Sequence, residues 1–203
     1  MSRARVRRLV GMAAGLVLLA GCATAPKTRQ PGAAGAPTPG RVVEPVLAGL
    51  EACPVTSAPR AVAGGLPDLS LSCLGGGPAV GLAGLTSGTP MVVNLWASWC
   101  VPCQQELPAF QRLHERAGSR LAMLGVLTKD PSTGWRDSLL TAGVRYPSVR
   151  DDDGTLLARE RGVGLPMTLF VRGDGSLAMR YLGPALDDAT LSALVEAQLG
   201  LRL

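Results

Sequence analysis

Apolar residues fall along this chain in three rhythms, and each predicts a different element. Met91 to Trp96 (MVVNLW) is a nearly unbroken apolar run, the mark of a strand buried on both faces, and Arg120 to Leu127 (RLAMLGVL) is a second. Between them the spacing turns helical: Leu107, Phe110, Leu113 and Ala117 recur at intervals of three and four until Gly118 stops them. Ser132 to Ala142 predicts another helix and Tyr146 to Arg150 (YPSVR) a short strand, after which Asp153 is a candidate cap for a helix reaching Arg161. The third rhythm is a loose alternation. It appears in Leu66–Leu74 and Pro78–Leu85, which together fit a small hairpin. MTLFV (Met167–Val171) and SLAMRYL (Ser176–Leu182) flank the turn signal RGDG and predict a second hairpin. Asp187 to Leu199 predicts a last helix with Leu191, Leu194 and Val195 on one face, while Val42 to Leu50 fits a short strand or a helix equally. Strand–helix–strand–helix followed by a hairpin and a helix is an α/β domain.

The amino-terminal end follows none of these rhythms. Arg3, Arg5, Arg7 and Arg8 precede an apolar run from Leu9 to Ala20, shorter than the ~20 residues of a membrane span but of signal-peptide length. The run ends in LAGC (Leu19–Cys22), which resembles a bacterial lipobox. On that reading residues 1–21 are removed and Cys22 carries the lipid; an ordinary signal peptide or an uncleaved anchor are the alternatives. Residues 22–41, rich in Ala, Pro, Gly and Thr, read as a flexible tether with a root-mean-square reach of ~24 Å. The folded domain is then 42–203, with a core at about 66–199. The formal charge of +5 changes meaning accordingly. Without the first 21 residues the chain keeps 16 basic and 15 acidic side chains, so no nucleic-acid footprint is visible.

With Cys22 lipidated, four cysteines remain, an even number in an exported chain. Cys53 and Cys73, 20 apart around a Pro- and Gly-rich segment, predict a structural disulfide worth about 3 kcal/mol. Cys100 and Cys103 form a CxxC between two tryptophans and a helix. A zinc site is implausible, because the chain has one histidine and its other cysteines do not form a second close pair. A CxxC at the start of a helix that follows a buried strand is the context of a redox pair. Helix-terminal N–H groups favour a thiolate on Cys100, while Cys103, one turn in, faces inward and suits the resolving step.

WCVPC (Trp99–Cys103) together with GLPMTLFV (Gly164–Val171) resembles the thioredoxin fold. NLWASWCVPCQQELP and DDDGTLLARERGVGLPMTLFV resemble more closely its TlpA/ResA/DsbE branch of anchored, extracytoplasmic thiol–disulfide oxidoreductases, over roughly Leu66 to Leu199. The resemblance implies a thioredoxin-like fold, with a central mixed β-sheet flanked by helices, an N-terminal β-hairpin and a branch-specific insertion at about Ser132–Arg150. It implies that Pro166 is cis and faces the pair, and that the backbone of Leu165 binds the substrate chain. Met167 departs from the threonine common there. Glu106 lies three residues past Cys103 on the same helical face; the branch has a glutamate there, which implies a relay for the resolving thiol's proton. Asn94 stands where cytoplasmic thioredoxins carry a buried acid. Trp99 is expected beside the pair, shaping access, Trp96 in the core, His114 at the surface, and Lys129 and Arg145 as solvated charges.

The resulting expectation is an anchored reductant of disulfides in exported proteins, with no cofactor and no metal. The resemblance extends it to cytochrome c maturation, with electrons from a membrane thiol carrier of the CcdA/DsbD type. An oxidant or isomerase would use the same residues. A Sco-like copper-delivery module would need CxxxC and a distant histidine, and a peroxiredoxin would need Thr-x-x-Cys, where this chain has Ala97.

Overall fold

A computed structural model of the chain describes residues 49–56, 62–85 and 88–203; the signal segment, Cys22 and the tether lie outside them. The centre of the fold is β3 (Met91–Trp96), whose six side chains are all buried. It is flanked by β4 (Ala122–Thr128) in parallel and β6 (Met167–Val171) antiparallel. β5 (Ser148–Asp151), β7 (Leu177–Leu182), β1 (Ser70–Cys73) and β2 (Val80–Gly81) complete one seven-stranded mixed sheet in the order β2-β1-β5-β4-β3-β6-β7. The two continuous apolar runs are thus two adjacent inner strands, and the alternating runs form the β1–β2 hairpin at one edge.

Alternation along β3 divides the core. Val92 and Trp96 meet Leu107, Phe110 and Leu113 of α1 (Val101–Ala117), Trp135 and Leu139 of α2 (Trp135–Ala142), and Leu191 and Val195 of α4 (Asp188–Leu199). Met91, Val93 and Leu95 face the other way, onto Leu156 and Leu157 of α3 (Thr155–Arg159) and onto Leu71, Val80 and Leu82 around the β1–β2 hairpin. Each buried aliphatic side chain contributes about 1.5–3 kcal/mol of transfer free energy. A helix layer on each face of the sheet is the condition for its inner strands to be apolar on both sides. No helix among the described residues is long and apolar enough to cross a membrane.

Two expectations are corrected. Asp153 does not cap α3; Asp151 does, its two carboxylate oxygens accepting the N–H groups of Thr155 (2.8 Å) and Leu156 (3.0 Å) across Gly154, which is left-handed. His114 is not a free surface residue: its side chain is 17% exposed, Nε2 lies 2.8 Å from the Glu51 carboxylate, and its ring meets Tyr146 edge-on.

Cys53 is bonded to Cys73 at the end of β1, with Cα atoms 6.0 Å apart. The bridge ties the segment entering the domain to the sheet. Replacing both by alanine is expected to cost about 3 kcal/mol, as the unfolded chain regains its loop entropy. Urea denaturation without reductant measures it; an unchanged midpoint would show the bridge to be dispensable.

Candidate active site

The sheet register assembles the site from two distant stretches. Met167 pairs with Leu95, so the residues just before β6 lie beside those just after β3. There the Leu165–Pro166 peptide is cis, and Leu165 packs on the same core cluster as Cys100 and Cys103. Pro166 is buried and Leu165 half-buried.

Cys100 is the N-cap of α1. Its backbone is extended (φ −89°, ψ 98°), its N–H donates to the Ala97 carbonyl, and its Sγ accepts the Cys103 N–H at 3.3 Å. Pro102, in the first helical turn, loses nothing by lacking an N–H there. The two sulfurs are bonded, with Cα atoms 5.2 Å apart. Cys103 is wholly buried and Cys100 is 5% exposed, so an incoming thiolate meets the Cys100 sulfur first. Its neighbours Trp99 and Val101 stand exposed, and the Trp99 indole N–H donates to the Lys129 carbonyl at 3.0 Å.

Glu106 is buried beneath α1, where Asn94 Nδ2 donates to one carboxylate oxygen (2.7 Å) and the Leu186 backbone N–H to the other (3.1 Å). Burial raises its pKa from 4.5 to about 7, the Leu186 and Asn94 hydrogen bonds offsetting part of the effect. A carboxyl titrating near neutrality, one helical turn from a buried thiol, has the acidity of a proton acceptor for that thiol. Burial pushes the Tyr146 phenol up, and the nearby Glu106 charge adds to it.

The fold brings Trp99, Cys100, Cys103, Glu106, Leu165 and Pro166 to one end of β3 and α1, and leaves Cys53–Cys73 apart as a separate bridge. His114, 11 residues past Cys103 on α1, is ~16 Å farther along the helix and does not join the pair. Asn94 and Asp130 were not legible as site residues. Asn94 looked like a missing acid and is Glu106's partner. Asp130 left one trace, the Asp-x-Ser turn signal in KDPS, and is described below.

A CxxC disulfide capping a helix, opposite a cis-proline, on a mixed sheet of this order defines a thiol–disulfide oxidoreductase of the thioredoxin fold. The comparisons give the family: residues 62–180, more than half of the chain, match the AhpC/TSA family, and the chain belongs to it. Within it the relatives are thiol:disulfide interchange proteins. HelX of Rhodobacter capsulatus is 33% identical over 64% of this chain and 73% of its own length, and DsbE of Pseudomonas fluorescens biotype C is 31% identical over 47% and 53%. The chain therefore spans about three-quarters of the first relative and about half of the second. A secreted Mycobacterium tuberculosis disulfide oxidoreductase superposes with a TM-score of 0.57 at 22% identity, over 64% of this chain and 96% of its own, which shows the shared fold.

Proposed function

We propose that the protein is a membrane-anchored, extracytoplasmic reductant of disulfides in exported proteins. The observation that supports this best is the position of Cys100 as the N-cap of α1, bonded to Cys103 and the less enclosed of the two. In the dithiol form the Cys100 thiolate attacks one sulfur of a substrate disulfide, forming a mixed disulfide and releasing a substrate thiolate that takes up a proton. Leu165 and the cis Pro166 hold the substrate chain alongside, and Trp99 limits the approach. Glu106 takes the Cys103 proton; the Cys103 thiolate attacks Cys100 Sγ, and the second substrate thiolate leaves. The substrate has gained two electrons and the enzyme holds the Cys100–Cys103 bond. A dithiol carrier of the CcdA/DsbD type in the membrane returns two electrons.

Anchoring rests on the LAGC lipobox at Cys22 and the tether of residues 22–41. Cytochrome c maturation is the pathway that the TlpA/ResA/DsbE resemblance favours. Expression of Cys103→Ser in the native host is expected to leave mixed disulfides on Cys100 that mass spectrometry identifies. Apocytochrome c or haem-handling partners among them would support this reading. Capture of many unrelated folding intermediates would instead assign an oxidant or isomerase.

A further inference from the structure

The loop that delivers Cys100 to its helix is held from outside the CxxC motif. Asp130, just past the end of β4, is 2% exposed and turns its carboxylate toward that loop. One oxygen accepts the Ser98 backbone N–H at 2.6 Å; the other accepts the Ser132 N–H (3.1 Å) and hydroxyl (2.6 Å). The Ser98 and Ser132 hydroxyls lie 2.9 Å apart, closing the ring. Next to it the Lys129 carbonyl accepts the Trp99 indole N–H, and the Asp130 carbonyl accepts from Arg150 at 3.1 Å. Lys129 holds its carbonyl there at a cost, since φ is +49°, a left-handed conformation rare for a side-chain-bearing residue. Its alkyl chain lies over Gly154, where any Cβ would fall 2.2 Å from Lys129 Cε. Burial pushes the Asp130 carboxyl up, but the bonds from Ser132 and Ser98 outweigh it and hold the group below the usual carboxylate range.

We propose that Asp130 is a positioning residue for the redox pair, a clamp on Ser98 that keeps Cys100 at the N-cap of α1 once the disulfide has opened. The inference rests on the oxidoreductase reading. While the disulfide is closed, Cys103 itself fixes Cys100, and the clamp is redundant. In the dithiol form that covalent tie is gone. Cys100 is then placed by the bonds on the preceding loop: Ala97 to its own N–H, Gln104 to the Ser98 carbonyl, and the two ties from residues 129 and 130. A cap that drifts loses the helix-terminal N–H groups that favour the thiolate. Two effects of the carboxylate thus oppose each other. Its charge disfavours a nearby thiolate, and its grip on Ser98 favours one. The clamp requires that grip prevail.

Asp130→Ala and Asp130→Asn separate the two, since asparagine keeps an acceptor oxygen for Ser98 and drops the charge. The test is the thiolate titration of Cys100 and the equilibrium potential against glutathione. Asp130→Ala is expected to make Cys100 about tenfold less acidic and the couple about 30 mV more reducing, the equivalent of a tenfold change in the equilibrium constant. Asp130→Asn is expected to stay within about twofold of wild type or to move the opposite way. Equal shifts in both variants, or no shift in Asp130→Ala beyond lower thermal stability, would overturn the clamp. Should Asp130→Ala not fold, Trp99→Phe removes the neighbouring tie and is expected to shift the equilibrium constant with glutathione about threefold in the same direction; an unchanged constant there would also overturn it. Wild-type protein in the same assay must equilibrate with glutathione. Its failure to do so would remove the oxidoreductase reading itself.

Discussion

Replacing Glu106 with glutamine is expected to stabilise the oxidised protein at pH 8 by about 3 kcal/mol relative to wild type, and to slow its turnover. The sign follows from the direction of the shift. Folding raises the Glu106 pKa from 4.5 to about 7, so the native state binds a proton more tightly than the unfolded chain. Below pH 4.5 both states are protonated and the burial is tolerated. As pH rises to 7 the unfolded carboxyl ionises first, and stability drains away until the native group ionises as well. Glutamine does not titrate, so the variant lacks this loss; at pH 4 the two proteins should differ by no more than about 1 kcal/mol. The site can seat the amide. Leu186 N–H donates to the glutamine oxygen, and Asn94, whose Oδ1 has no partner in the structure, accepts from the glutamine nitrogen once its own amide turns over. Denaturation of both proteins from pH 4 to 8.5, in the oxidised form where neither sulfur of the pair titrates, reads the difference. Turnover should respond oppositely. Loss of the proton acceptor is expected to slow the resolving step on the order of a hundredfold at pH 8. A variant whose resolution still rises through pH 7 like wild type would end the relay role.

The second large effect separates the two sulfurs. Cys100→Ala is expected to abolish disulfide reduction down to the uncatalysed rate, because the remaining sulfur is wholly enclosed. Cys103→Ala should retain the first attack and stop at one substrate bound per molecule, giving a stoichiometric burst with no turnover. Mass measurement of the trapped species distinguishes these outcomes. A burst from Cys100→Ala and none from Cys103→Ala would reverse the assignment.

How much of this was legible beforehand depended on whether a residue's role was local. The runs MVVNLW and RLAMLGVL announce inner strands because a strand covered on both faces has no polar side to show. The CxxC announces its chemistry because both sulfurs lie within one helical turn. Glu106 was legible for the same reason, but the value of its burial was not. That depends on Leu186, 80 residues away, and on Asn94 across the helix–sheet boundary. Asp130 was harder still. Its partners Ser98 and Ser132 fall on different loops, and nothing in KDPS distinguishes an acid that ends a strand from one that grips a neighbouring loop. Asp153 is a cap candidate from the sequence, but the left-handed Gly154 turns the chain so that the Asp151 carboxylate reaches the open N–H groups instead.

A catalyst that exchanges bonds between sulfurs carries one of its own that must stay in place. A disulfide opens more readily where one of its sulfurs is stabilised as a thiolate, as the α1 N-terminus does for Cys100. Cys53 lies outside the helices and Cys73 ends β1, and the Cys53 Sγ lies 3.4 Å from the Ser148 carbonyl, whose oxygen disfavours a negative charge beside it. A reduced neighbouring copy of the enzyme therefore finds a disulfide disposed to open at the Cys100 end of the molecule and not at the other. The two bridges differ in how well their thiolates are stabilised rather than in access, and the protein can work in a bath of its own reduced form without unstitching itself.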